Sequence, residues 1–210
     1  MFNPLVGEVA TMSKTVKQRS RSIALVAIMG ALGNVLALIS IALSIPVSIS
    51  GQVALDFSNL AVAIVAVYAG WRLGLFTGLI AGFIPGMWFG PIGGLGILGL
   101  IGLMFGKGLT GLTVGILSNL IGITEKNKSS FLAIPTVLVG YLPEFVFTIF
   151  FFLALVPVFI GGAASLFLIG YLPVIAVKAW AEMIIISFFM AALIGNRGFS
   201  QFIDQYVGRS

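Results

Sequence analysis

Six apolar runs divide this sequence almost from end to end: residues 22–45, 54–70, 73–90, 98–121, 131–156 and 173–194. A helix needs roughly 20 mostly apolar residues to cross the hydrocarbon core of a bilayer, and a run without a polar face cannot cover a water-soluble core. The fold expected is therefore all-α and integral to the membrane, with six transmembrane helices. Composition agrees, since 8% of the residues are charged, against about a quarter in a soluble domain. The organisation expected is a basic segment over residues 1–21, a six-helix membrane domain over 22–196 and a tail over 197–210. No small-residue cleavage site follows the first apolar run at signal-peptide length, so the amino terminus is expected to be retained and partly disordered.

Basic residues fall on alternate connectors. Lys14, Lys17, Arg19 and Arg21 precede the first run; Arg72, Lys126 with Lys128, and Arg197 with Arg209 follow the second, fourth and sixth. The intervening connectors, around 46–53, 91–97 and 159–170, contain no Lys or Arg. Lys and Arg concentrate on the cytoplasmic side of short loops, which places both termini in the cytoplasm of a multi-pass cell-membrane protein. The formal charge of +5 is then a topology signal, and no nucleic-acid partner is expected. Among the outward connectors, 44–52 is a polar loop marked by Pro46. The apolar segment 159–170, marked by Gly161 and Gly162, suits a re-entrant or interfacial piece.

With no Cys and no His, the chain lacks thiolate and imidazole chemistry and the usual transition-metal ligands. Gly106-Lys107-Gly108 is only a fragment of a phosphate-binding loop, set in an apolar helix, so ATP hydrolysis by this chain is not expected. Catalysis, a bound metal and a cofactor are likewise not expected.

Small residues recur at helical spacing. The first run carries Ala24, Ala27 and Ala31, and the third carries Gly74, Gly78, Gly82, Gly86 and Gly90 with Pro85 as a bend. Such faces let helix backbones approach closely where lipid supplies no hydrophobic drive for association. Packing inside the molecule is the plain reading of both series.

Four charges lie where they are costly: Lys107, Glu144, Lys178 and Glu182 all sit inside apolar runs. A charge at the centre of a membrane helix costs roughly 2.5–3.5 kcal/mol even on the lenient insertion scale, so each must face protein, water or ligand. Lys178 and Glu182, four apart, are spaced to pair. With Tyr141, Tyr171 and Trp180 nearby in sequence, the four suit a pocket in the outer half of the bilayer for a small polar or aromatic molecule. The alternative is that the charges only neutralise one another and hold helices together. Asp56, in Leu55-Asp56-Phe57-Ser58, reads first as a helix cap.

The basic amino terminus running into an alanine-rich helix, Leu55-Asp56-Phe57-Ser58-Asn59-Leu60, the glycine-rich third run and Tyr171-Leu172-Pro173-Val174-Ile175-Ala176-Val177-Lys178 together resemble the substrate-binding S component of energy-coupling factor importers. The resemblance spans nearly the whole chain, through short motifs. It implies that a small water-soluble vitamin or precursor binds near the outer surface. It further implies Lys107, Tyr141, Glu144, Lys178, Trp180 and Glu182 as pocket residues and 44–52 as a lid. Ala27 and Ala31 would contact an energising transmembrane subunit, and two separate ATPase subunits would use the ATP. A different reading from the charges alone is a self-sufficient, proton-coupled secondary transporter working through Glu144 or Glu182, although the two halves show no clear repeat. A purely structural or assembly protein is the third.

Overall fold

The computed structural model describes residues 4–43, 45–48, 51–53, 55–125 and 128–207 of the 210. Helix α1 (Pro4–Ala42) runs back through the basic amino-terminal segment to Pro4. An antiparallel hairpin follows, β1 (Ile45–Ser48) paired with β2 (Gly51–Val53). Then come α2 (Ser58–Ala69), α3 (Trp71–Ala81) and α4 (Phe83–Met87), the last continued by a π-helical turn over Trp88–Ile92. After α5 (Gly96–Ile121), a short 3₁₀ turn at Ser130–Leu132 leads into α6 (Ala133–Phe150). A π turn at Phe151–Leu155 connects α6 with α7 (Val156–Phe159). The chain closes with α8 (Gly162–Gly170), α9 (Leu172–Gly195) and α10 (Arg197–Val207).

Among the described residues, five helical stretches are long and apolar enough to cross a membrane: Gln18–Ala42, Trp71–Ile92, Gly96–Ile121, Ser130–Phe159 and Leu172–Gly195. The second apolar run of the sequence behaves differently. Its helical part, α2, has 12 residues and is about 18 Å long at 1.5 Å per residue, well short of a hydrocarbon core of about 30 Å. Ten of those twelve residues are buried, because α2 is the central post of the bundle, wrapped by α1, α3, α5 and α9. Gly70 turns the chain directly from α2 into α3 at φ 90°, a backbone conformation that residues with a Cβ rarely adopt.

Around this post the main apolar core gathers Val67 and Tyr68 of α2, Val114 of α5, Val137 and Tyr141 of α6, and Met183, Ile186 and Met190 of α9. A smaller cluster of Leu95, Phe151, Phe152 and Val156 packs the opposite end. Large apolar side chains such as Ile28, Val35, Phe76, Ile101, Val146 and Phe188 face outward, as the sides of membrane helices do.

The glycine series is an internal seam. A Cβ on Gly78 would lie 2.2 Å from the Lys107 carbonyl oxygen, and one on Gly82 would lie 2.6 Å from the Cα of Met104. Gly74 and Gly111 face each other, each with its backbone oxygen inside the space a Cβ of the other would need. Glycine therefore lets α3 and α4 rest on α5 backbone to backbone. On α1, Gly30 packs against Ile80 and Gly33 against Ala81, while Ala27 and Ala31 lie on the exposed side. Asn34 clasps the α3–α4 junction by donating to the Ile80 oxygen at 2.8 Å and accepting from the Ile84 N–H at 2.8 Å.

Candidate functional site

The beginning of α2 lies inside the bundle. Just ahead of it, Asp56 meets Lys107, which stands about halfway along α5, and the carbonyl of Ser58 faces Gly33 of α1. A helix start buried away from water exposes N–H groups that need acceptors. Two carboxylates supply them: Asp56 Oδ1 accepts from the Ser58 N–H at 2.9 Å, and the Glu182 side chain of α9 accepts from the Asp56 N–H. Both negative charges also sit at the positive end of the α2 dipole.

The ion pairs follow from that arrangement. The Lys107 ammonium donates to Asp56 Oδ2 at 2.8 Å and to Asn59 Oδ1 at 3.3 Å. Lys178 pairs with Glu182 at 3.1 Å, as the four-residue spacing predicts. Glu144 of α6 accepts from the Thr110 hydroxyl of α5, and among the described residues it makes no ion pair. The five groups form one electrostatic cluster of three carboxylates and two ammonium groups, leaving one formal negative charge in excess.

The aromatic side of the cluster is equally well defined. Trp180 of α9 meets Tyr141 edge-on with ring centres 5.6 Å apart, and Phe145 at 5.6 Å; both partners lie on α6 beside Glu144. Tyr141 is buried, while Trp180 is half-buried. All six side chains expected at the site, Lys107, Tyr141, Glu144, Lys178, Trp180 and Glu182, are thus brought to the α5–α6–α9 side of the bundle.

Sequence reasoning missed two members. Phe57 holds the cap position of α2, and Asp56 just ahead of it accepts from the Ser58 N–H; its second oxygen is the partner of Lys107, and Asn59 joins it within the first turn of α2. The available signal was charge balance: Lys107 in an apolar helix required an acid, and Asp56 opens an adjacent run. The Tyr171 ring packs against Phe167 of α8, with ring centres 5.2 Å apart. In the loop expected as a lid, residues 44, 49 and 50 lie outside the described residues, and the remainder forms the β1–β2 hairpin three residues ahead of Asp56.

A second feature lies at the end of the bundle that carries Arg72, Lys128 and Arg197. A cavity of about 530 Å³ opens there between the α5–α6 connector, the end of α9 and α10. The chain matches no protein-family model, no curated protein and no solved structure.

Proposed function

We propose that this chain is the membrane-embedded substrate-binding subunit of an importer of the energy-coupling factor type. It captures a small water-soluble vitamin or precursor from the outer face and delivers it through a shared ATP-driven module. In this reading the chain crosses the cell membrane six times with both termini in the cytoplasm. The second crossing is completed by the non-helical residues ahead of α2, and the β1–β2 hairpin acts as the lid. Ala27 and Ala31, at helical spacing on the exposed side of α1, are the contact for the energising transmembrane subunit, and two separate ATPase subunits supply the energy. The chain itself performs no catalysis.

The observation that carries the reading is the convergence of Lys107, Glu144, Lys178 and Glu182 with Tyr141 and Trp180 within one intramembrane cluster, together with Asp56. Ionisable groups in membrane segments are costly and mark substrate or ion pathways. An ammonium, carboxylates and aromatic edges together suit a small ligand bearing both polar groups and a flat ring.

The test is thermal unfolding of the purified chain in detergent against a panel of water-soluble vitamins and precursors. A ligand at 100 times its Kd stabilises the native state by about 2.7 kcal/mol. The expected hit is lost in Lys178→Gln and Trp180→Ala variants that still fold. Absence of any stabilising compound counts against the reading.

Two observations favour a second reading. Glu144 has a hydroxyl as partner and, among the described residues, no ion pair, and α2 is a half-length helix starting inside the bundle, a feature of secondary transporters. In that case Glu144 or Glu182 carries the proton. Uptake into vesicles holding the chain alone, driven by a pH gradient and independent of ATP, distinguishes it.

A further inference from the structure

The cavity at the basic end is separate from the intramembrane cluster and has an unusual lining. Its charged residues are Glu125, Lys128, Arg197 and Asp204, and Ser130 and Ser200 also line it. Among the described residues none of these four charges is engaged in an ion pair. Two helix starts meet here: the turn at Ser130–Leu132 that leads into α6, and α10, which begins at Arg197. Such ends attract anions, and here each has a cation at its entrance.

The walls are firmly built. Ser200 is held by Tyr68 of α2 at 2.9 Å, and Ser130 lies against Gly195, where a Cβ would approach its hydroxyl oxygen to 3.3 Å. Glu125 folds over Gly122, the left-handed residue that ends α5. Cations and anions are therefore presented in one cavity with, among the described residues, no ion pair between them. Beside it, Leu120 and Phe131 expose large apolar surfaces, with Phe202 exposed on α10.

We propose that this cavity binds a phosphate ester that carries an ammonium group. The phosphate lies between Lys128, Arg197 and Ser130, and the ammonium faces Glu125 and Asp204. A purely anionic ligand would leave two carboxylates facing it, and a purely cationic one would meet Lys128 and Arg197. Two sources share this chemistry: the headgroup of an aminophospholipid, for which Leu120 and Phe131 offer acyl-chain contacts, and a free phosphorylated amine. The site is independent of whatever the intramembrane cluster binds.

The experiment uses the full chain in detergent and follows retained ligand by native mass spectrometry and thermal unfolding. The probes are phosphatidylethanolamine, phosphatidylglycerol, phosphatidylcholine and free phosphoethanolamine. Phosphatidylethanolamine is expected to be retained preferentially. Retention should fall roughly tenfold in Lys128→Gln/Arg197→Gln and in Glu125→Gln/Asp204→Asn, the loss expected when charge-assisted contacts are removed. Glu125, Lys128 and Arg197 are exposed, so three of the four substitutions remove no core packing. Equal stabilisation by free phosphoethanolamine supports the site and assigns it to a soluble ligand. Phosphatidylglycerol retained as well as phosphatidylethanolamine overturns the proposal, as does retention unchanged in both double variants.

Discussion

Replacing Lys107 by Met keeps most of the side-chain length and removes only the charge. The structure sets the consequence. The Lys107 side chain is 6% exposed and that of Asp56 18%, and their atoms are 2.8 Å apart. Without the ammonium, Asp56 Oδ2 loses its partner at the buried start of α2, and three carboxylates share the cluster with Lys178 alone. Breaking a buried pair by removing one partner costs about 3–5 kcal/mol, because the remaining charge has nothing to compensate it. Asp56→Asn, which keeps an acceptor for the Ser58 N–H, should cost less. The double variant should recover much of the loss, giving a coupling energy of about 2 kcal/mol, within the range for directly contacting groups. Reversible unfolding in mixed micelles, run on both single variants and the double, measures this cycle. The reasoning is refuted if Lys107→Met costs less than about 0.5 kcal/mol, the range of an ordinary surface substitution, or if the two single effects simply add.

Gly78→Ala should destabilise the bundle by about 1–3 kcal/mol in the same assay, since its Cβ meets backbone that cannot rotate away. Gly170→Ala, with nothing within 4 Å of the added carbon, should be neutral or slightly stabilising. Asn34→Leu should cost about 1–3 kcal/mol by leaving the Ile80 oxygen and Ile84 N–H at the α3–α4 junction without their partner, again read by unfolding. Because the chain has no Cys, single cysteines report topology directly: Lys128→Cys should react with a membrane-impermeant maleimide only after the cells are opened, and Ile92→Cys in intact cells. The reverse pattern would invert the orientation.

Much of the fold is legible in the sequence because lipid imposes a single strong rule, that backbone polar groups be satisfied within helices. Five apolar runs accordingly become long helices, and the glycine series becomes the α3–α5 seam. The second run is less directly legible, for a physical reason. Hydropathy records that residues 54–70 are apolar, but an apolar residue buried in protein and one facing lipid look alike in sequence. Here α2 is enclosed on all sides, so it need not be long enough to span by itself. The charged residues were legible individually, through their cost. Their pairing was legible only for Lys178 and Glu182, whose spacing lies on one helix; the contact of Lys107 with Asp56 depends on where α2 begins. The cavity at the basic end left no mark in the sequence, since it arises from the way two connectors and two helix ends meet.

The short sequence Gly106-Lys107-Gly108 shows how the seam and the charge cluster depend on each other. Gly106 faces the Glu144 side chain of α6, and Gly108 faces Leu75 and Leu79 of α3. With no side chain on either flank, α3 and α6 can close against α5 on both sides of Lys107. Residues 106 and 108 point about 200° apart on a helix, and residue 107 lies midway between them. The Lys107 side chain is therefore directed between its two neighbours toward α2, where Asp56 and Asn59 receive it. A phosphate-binding loop would need these glycines for backbone N–H groups; here they serve helix approach. A larger residue at 106 or 108 should consequently disturb the ion pair as well as the packing. Gly108→Leu ought to weaken the Lys107–Asp56 coupling in the double-mutant cycle, and a coupling left unchanged would show that the direction of Lys107 is set by its acceptors rather than by the flanking helices.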